Sequence, residues 1–423
     1  MGQLKRIGGN MEGKLCIVTK DESPSVRSGD EGILPEDVME EILLRLTVRH
    51  LVRLRCVCKS WCALIDDINF IKRHYRLHSS ICKADGDVPG ICFRQTFNDF
   101  RVYLVSKQNE NIPLDLTPDL LCDTAASFTN APALFNDGIT VGIANGVVCF
   151  MWGYQNLGMW NPATRDFKVV TPWIYRQTFP RSLQLEMIGF GFDCISNDFK
   201  IVRINRCDGG TCIHEVYSLS TDTWKKLREP SPLEVSRSIF QEGYSNGVCY
   251  CYSNYDDEVL HSSEASNPLI MSFNFSTEVF EVINYPVNTI GSKAGCEYDW
   301  TIAIYRESLA LVICWTDLRK AECNYEVCVI TESQVGNSGI QKSWQRLFAL
   351  GPFPLYDGRM NLEQFRSDGD VLFTIGVENG DPKLILYNPL SGTFKNLGTR
   401  LFRPYDYVES LFPLSKRRAH LLE

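Results

Sequence analysis

Side chains capable of covalent or metal chemistry are plentiful in this sequence, but they are not spaced for it. The 423 residues include six histidines and seventeen cysteines. Cys56/Cys58 and Cys249/Cys251 are separated by one residue, and no C-x-x-C pair of the kind used by zinc sites and redox couples occurs. His214, His261 and His420 are too scattered to converge on a metal. There is no H-E-x-x-H, nucleophile elbow or P-loop, and the glycines of IGFGFD (188–193) lack a strand-to-helix setting. The sequence therefore predicts no catalytic residue, no metal and no cofactor. What remains is recognition chemistry, in which aromatic, arginine and carboxylate side chains sit on loops. The candidates are Trp173, Tyr175, Arg176 and Arg181; Tyr255, Asp256, Asp257 and Glu258; Trp315 and Arg319; and Phe353, Tyr356, Asp357 and Arg359.

Those loops need a scaffold, and from about residue 90 the pattern is one of short strands. WNPATRDFKVV (160–170), YSLSTDTWKKL (217–227), FNFSTEVFEVI (273–283) and YNPLSGTFKNL (387–397) share a strand end, a polar turn and a strand opened by an aromatic. A fifth copy carries a longer turn before Trp344. Phe167, Trp224, Phe280, Trp344 and Phe394 are 57, 56, 64 and 50 residues apart. Upstream of each copy lies a second hairpin, with turns such as NG at 145–146 and 246–247. A period near fifty with four strands per unit indicates a kelch-like β-propeller, and six blades fit the remaining length. RVYLVSKQNENIPLDL (101–116) reads as a degenerate first unit, and residues 401–415 are expected to return and close the ring. An irregular β-sandwich would explain the alternation but not the period. In an up-and-down blade the two tight turns share one face, so the long connections, with their anchors, share the other.

Ahead of the propeller, residues 33–75 read as a small helical module. Pro35, Glu36 and Asp37 open a first helix, with Val38, Met39, Ile42, Leu43 and Leu46 as its apolar stripe. Thr47 is suited to cap a second helix, with Leu51, Val52, Leu54, Val57, Trp61, Leu64 and Ile65 as its apolar positions. Asp66 and Asp67 open a third, short helix. So much apolar surface in ~45 residues implies packing against another body; a helical cap on the following domain is the alternative.

The same stretch resembles the plant F-box. Leu34, Pro35, Glu41, Ile42, Leu43, Arg45, Leu46, Val48, Leu51, Arg53, Val57, Cys58, Lys59, Trp61, Leu64, Ile65, Phe70 and His74 fall on the family pattern, while Thr47 stands where a second proline is usual. The repeats resemble the F-box-associated domain, and look most like the S-locus F-box group. The resemblance implies a non-catalytic substrate receptor of a Skp–cullin–F-box ubiquitin ligase, with an S-ribonuclease as one target class. It implies an adaptor interface from Leu34, Pro35, Ile42, Leu43, Leu46, Val48, Leu51, Val52, Val57, Lys59 and Trp61. An F-box scaffold outside a ligase and a glycan-binding propeller are the rival readings.

The domain expectation is a tail (1–31), the F-box (32–76), a linker and propeller start (77–100), the propeller (101–415) and a second tail (416–423). A net charge of −8 argues against a general nucleic-acid binder. No apolar stretch is long enough for a membrane span and no apolar leader precedes Met11, so a cytoplasmic location with reduced, buried thiols is expected. SKRR (415–418) is a candidate nuclear signal. The loop 253–267 carries Asp256, Asp257, Glu258 and Glu264 against no lysine or arginine, which suits a basic target.

Overall fold

The structure is a computed structural model that describes residues 35–84, 90–96, 99–105, 112–113, 139–152, 156–171, 184–207, 210–228, 239–240, 242–253, 269–284, 296–334, 340–355, 360–376, 382–399 and 405–415. The chain forms two compact units, Met1–His74 and Tyr75–Glu423.

The first unit is helical, with α1 (Glu36–Leu44), α2 (Val48–Leu54), α3 (Lys59–Asp66) and the start of α4 (Ile68–Ala84). Leu43, Leu44, Val48, Leu51, Ile65, Phe70 and Ile71 are its buried apolar residues. His74 is buried with its Nε2 2.8 Å from the Leu46 carbonyl oxygen. Four helices replace the three expected. The amides of Cys56 and Val57 bond back three residues, to Arg53 and Leu54, and Cys58 is fully extended (φ −158°, ψ 164°). That break ends α2, and α3 begins afresh at Lys59. The last helix is long rather than short, so the first part of the expected linker from residue 77 is helical. Its start is as anticipated, since Asp67 Oδ1 accepts the amides of Asn69 and Phe70 at 2.8 and 3.1 Å. Thr47 does not cap through its side chain; its hydroxyl lies 2.9 Å from His50 Nδ1 instead.

The second unit carries the strands. Blade 1 is Ile139–Ala144, Val147–Trp152, Asn156–Asn161 and Asp166–Val169. Blade 2 is Gln184–Asp193, Asp198–Arg206, Cys212–Ser218 and Thr223–Lys226, with Ile239–Phe240 added in parallel on its first strand. Blade 3 is Gly243–Ser245, Val248–Ser253, Leu269–Asn274 and Val279–Ile283. Blade 4 is Cys296–Tyr305, Ser308–Asp317, Glu322–Gln334 and Ile340–Pro354. Blade 5 is Met360–Phe365, Val371–Ile375, Lys383–Asn388 and Thr393–Thr399.

The expectation of six blades is corrected to five, each built of consecutive strands. A further sheet is assembled from both ends of the unit: Gly90–Thr96, Asp99–Val105 and Ile112–Pro113, with Tyr405–Asp406 paired onto Gly90 and Ile91. Joining the ends in one sheet covers edges that would otherwise remain unpaired.

The repeated aromatic lies opposite a partner across the last hairpin of each blade. The pairs are Trp160–Phe167, Tyr217–Trp224, Phe273–Phe280, Ile330–Trp344 and Tyr387–Phe394. Such cross-strand pairs stabilise a hairpin by some tenths of a kcal/mol to ~1 kcal/mol each. Arg165, Asp222, Glu278 and Gly392 occupy the left-handed position of equivalent turns. Fourteen cysteines are described, all as free thiols; five are buried, while Cys56 and Cys194 are exposed.

In the first hairpin of blade 1, Asn145 and Gly146 both have positive φ (45° and 74°), the I′ geometry that the NG pair predicts. An added Cβ at Gly146 would meet the Val408 carbonyl oxygen at 2.4 Å. Gly146→Ala therefore combines backbone strain with a clash against backbone, and is expected to cost about 2 kcal/mol or more. Thermal unfolding would register this as a lowered Tm, whereas an unchanged Tm would show that residues 407–410 can move away freely.

Candidate functional site

Two regions carry recognition chemistry, one in each unit. On the helical unit, Pro35, Val38, Ile42 and Val57 are exposed, the last three at 42, 44 and 46%. Val38 and Ile42 are one helical turn apart on α1, so they share a face. Leu46, Val52 and Trp61 are half-buried and Lys59 is exposed. Leu43, Val48 and Leu51, which the sequence assigned to the interface, are at most 1% exposed. As the module stands, their place is in its core. Leu34 lies outside the described residues.

Arginines and lysines are frequent from Arg45 to Arg73 of this module, and some of that charge is paired internally. Arg55 pairs with Asp66 at 2.8 Å with its side chain almost fully buried. Arg73 pairs with Glu40 and Glu41, tying α4 to α1. Arg49, Arg53 and Lys59 remain exposed.

In the second unit, a cavity of about 330 Å³ opens between the first strands of blades 4 and 5. Val312, Leu355, Met360 and Leu362 line it, together with Cys314, Cys323 and Tyr325. The Tyr325 hydroxyl donates to the Met360 carbonyl oxygen, which fixes this wall to blade 5. Burial pushes the Cys314 thiol up to about 11, so it stays protonated and unreactive at neutral pH. Glu242, Glu297, Asp299 and Glu363 also line the cavity. Glu297 and Asp299 are exposed and alternate with half-buried Tyr298 and Trp300 along Cys296–Tyr305. The sequence reading placed 284–299 in a long loop and missed these carboxylates. The C-E-Y-D-W alternation was the available signal, since a period of two marks a strand with two different faces.

A second cavity, of about 650 Å³, lies beside Glu242 and Glu363 and is lined by Tyr75, Lys83, Arg306, Arg366 and Asp406 among others. Asp406 is exposed to the solvent of this cavity, but the protein packed around it still separates it from bulk water, and that desolvation dominates its titration. Burial raises its carboxyl to about 6, against the opposing pull of Arg366 and a hydrogen bond from Gln364. The folded protein thus holds this proton more tightly than the unfolded chain does. The stability Asp406 contributes is present at about pH 4 and lost as pH rises through about 6. Asp406→Asn is expected to raise Tm at pH 7.5 relative to wild type, with the difference shrinking toward pH 4. Parallel Tm–pH curves for the two proteins would contradict this.

Trp173, Tyr175, Arg176, Tyr255, Asp256, Asp257, Glu258, Tyr356 and Arg359 lie outside the described residues. Trp315 is not on a loop, as had been expected. It is half-buried within Ser308–Asp317, because the strand runs on to a short turn at 318–321. Arg319 is exposed in that turn, its amide bonded to Asp317 Oδ1 at 3.0 Å. Phe353 is core, packed edge-on against Tyr387, Phe394 and Phe373. Among the described residues, no group of His, Cys, Asp or Glu is placed to hold a metal ion.

A short helical module with an outward apolar face is joined in the chain to a β-propeller with a lined cavity. Comparison with known proteins assigns this combination to a family. Residues 33–73 match the F-box domain and residues 96–375 match the F-box associated beta propeller domain. The chain belongs to the family of F-box proteins that carry this propeller domain. An F-box/kelch-repeat protein of Arabidopsis thaliana is 25% identical over 382 residues, 85% of this chain and 92% of that protein. A candidate F-box protein of the same plant is 27% identical over 264 residues, 61% of this chain. The chain spans 62, 60 and 64% of the length of three such relatives. Among solved structures, AofleA from Arthrobotrys oligospora is similar at a TM-score of 0.34 and 8% identity, covering 75% of this chain and 87% of that one.

Proposed function

We propose that this protein is the substrate receptor of a Skp–cullin–F-box ubiquitin ligase. The helical unit docks on a Skp-type adaptor, and the propeller holds a target protein for ubiquitin transfer. The observation that carries this reading is the exposed apolar set of Pro35, Val38, Ile42 and Val57 on a unit whose sequence matches the F-box. A monomeric module gains nothing from an outward apolar face, whereas a helix-in-groove interface uses one. The protein's own contribution is positioning: tethering raises the effective concentration of target lysines near the charged conjugating enzyme. No helix among the described residues is long and apolar enough to cross a membrane, and the proposed site of action is the cytoplasm.

A narrower reading makes the target an S-ribonuclease captured in self-incompatibility. It is supported by the overall look of the repeats, whose motifs NPATRDFK, NDFKIVRI and STDTWK are those of the F-box-associated domain that the S-locus group shares with other plant receptors. The remaining long-loop anchors, Trp173, Tyr175, Arg176, Tyr255, Asp256, Asp257, Glu258, Tyr356 and Arg359, are proposed target contacts, with Arg319 at the neighbouring turn. Affinity purification of the full chain from plant cells treated with a proteasome inhibitor tests the proposal. Recovery of both adaptor and cullin supports the receptor, with the target among the accumulating proteins. Recovery of the adaptor without cullin would make the protein a scaffold outside the ligase.

A further inference from the structure

We infer that the outer edge of blade 4 docks an extended, acidic segment of the target protein, which adds to the sheet as a further strand. On the reading of the second unit as the target-capturing domain, this names the class of segment captured and the backbone that holds it. The last strand of each blade is the outermost. In blades 1, 2, 3 and 5 it is four, four, five and seven residues long, whereas in blade 4, Ile340–Pro354, it is fifteen. This strand ends its sheet and pairs on one side only, with Glu322–Gln334. From Ile340 to Arg346 the pairing runs without a register shift, so the strand is regular there. Alternate residues of that stretch turn N–H and C=O away from the neighbour, and among the described residues no segment is paired with them.

Edge strands are commonly blunted by being short or by carrying proline. This one is long, and its prolines occur only at 352 and 354, beyond the regular stretch. Lys342, Ser343, Gln345, Arg346, Leu347 and Ala349 are exposed. The strand is anchored to blade 3: the Trp344 indole N–H donates to the Asn284 carbonyl oxygen at 2.8 Å, and Lys342 pairs with Glu281 at 2.6 Å. An edge held in this way is ordered before a partner arrives, which lowers the entropic cost of pairing.

The side chains select the segment. Lys342, Trp344 and Arg346 alternate with Ser343 and Gln345, so the first three share one face. The strand contains no aspartate or glutamate. Glu281 and Glu326, the carboxylates paired with Lys342 and Arg346, belong to other strands, and the two cations stay 37 and 58% exposed. An ammonium has three N–H donors and a guanidinium five, so one carboxylate exhausts neither. A partner strand with acid–x–apolar–x–acid spacing sets a carboxylate beside each cation and an apolar side chain beside Trp344. Opposite charges facing each other across such a pair are stabilising. A second copy of the same edge fits less well. Antiparallel self-pairing centred on Trp344 sets Lys342 against Arg346, and centring on Arg346 sets that residue against its own copy.

The test uses the full chain and the peptide Thr-Thr-Glu-Thr-Val-Thr-Glu-Thr-Thr. One control peptide carries lysine in place of glutamate; the other has its backbone amides methylated, which removes the donors a strand needs. Hydrogen exchange followed by mass spectrometry is expected to slow by ~10-fold or more across 340–350 when the acidic peptide is added, and to be unchanged by either control. Lys342→Gln combined with Arg346→Gln should weaken the acidic peptide by ~10-fold or more, with Tm nearly unchanged because surface ion pairs stabilise little. No protection by the acidic peptide overturns the inference and leaves the two cations as a guard against edge pairing. Equal protection by either control, or protection that survives in the double variant, overturns it as well. So does slowed exchange over 340–350 that depends on the concentration of the chain alone, since a second copy would then hold the edge. If the acidic peptide behaves as expected but the chain recovers no adaptor, the ligase reading fails and the edge stands. Adaptor recovery without protection by the peptide does the reverse.

Discussion

Replacing Ile42 with aspartate is expected to weaken adaptor binding by at least ~100-fold while leaving both units folded. Ile42 is 44% exposed on α1, so the substitution puts a charge into water in the free protein and costs little there. In the complex the same charge would be buried against an apolar groove, where an unpaired carboxylate is strongly disfavoured. Leu51→Ala is the informative contrast. Leu51 is wholly buried, so its truncation leaves a cavity and should lower the stability of the helical unit by about 2–5 kcal/mol. Any loss of binding would then follow from unfolding. Pull-down with purified adaptor, read alongside circular dichroism, separates the two. Undiminished binding of Ile42→Asp would remove α1 from the interface, and with it the proposed orientation of docking.

Ending the chain at Pro404 is expected to produce an aggregating, protease-sensitive second unit even though all five blades remain encoded. The lost segment includes Tyr407, Val408, Leu411, Phe412 and Leu414, each at most 9% exposed. The Phe412 ring lies 5.0 Å from that of Phe192, 5.6 Å from Phe199 and 6.2 Å from Tyr75. Asn161, itself fully buried, donates its amide to the carbonyl oxygens of Ser410 and Phe412 at 3.0 and 2.9 Å. Five buried apolar side chains at ~1.5–3 kcal/mol each amount to about 10 kcal/mol, the size of a whole domain's net stability. Limited proteolysis and size-exclusion chromatography of the truncated chain provide the measurement. A soluble product with an unchanged melting temperature would mean that the segment is an accessory to a ring closed by other means.

The repeat was legible because each blade carries its own local signal. The aromatic after the polar turn is a short-range feature, and pairs such as Tyr217–Trp224 are seven residues apart. The composite sheet was only half legible, because strand partners so distant in sequence leave no local period. The break between α2 and α3 was missed for a different reason. Val57 and Trp61 continue an apolar helical spacing straight through Cys58, and periodicity cannot report a backbone turned aside. Within the F-box, the sequence does not separate core from interface at Leu43, Val48 and Leu51, because apolar positions are the same letters whether they meet their own core or a partner. The cavity carboxylates were missed because a strand end was taken for loop. Trp315 was misplaced for the same reason, since its strand outruns the expected one.

The sheet shared by the two ends of the propeller also sets a timetable. Ile91 and Tyr405, its facing residues, are separated by 314 positions along the chain. At roughly 5–20 residues per second, synthesis takes about 16–63 s to pass from one to the other. Throughout that interval the nascent chain carries a first strand paired only with Asp99–Val105, its other edge open, and a growing arc of blades. The joining of the ends is the last and most non-local event in its maturation, and contacts of that kind form slowly. Folding of the second unit is therefore expected to be paced by this pairing more than by any single blade.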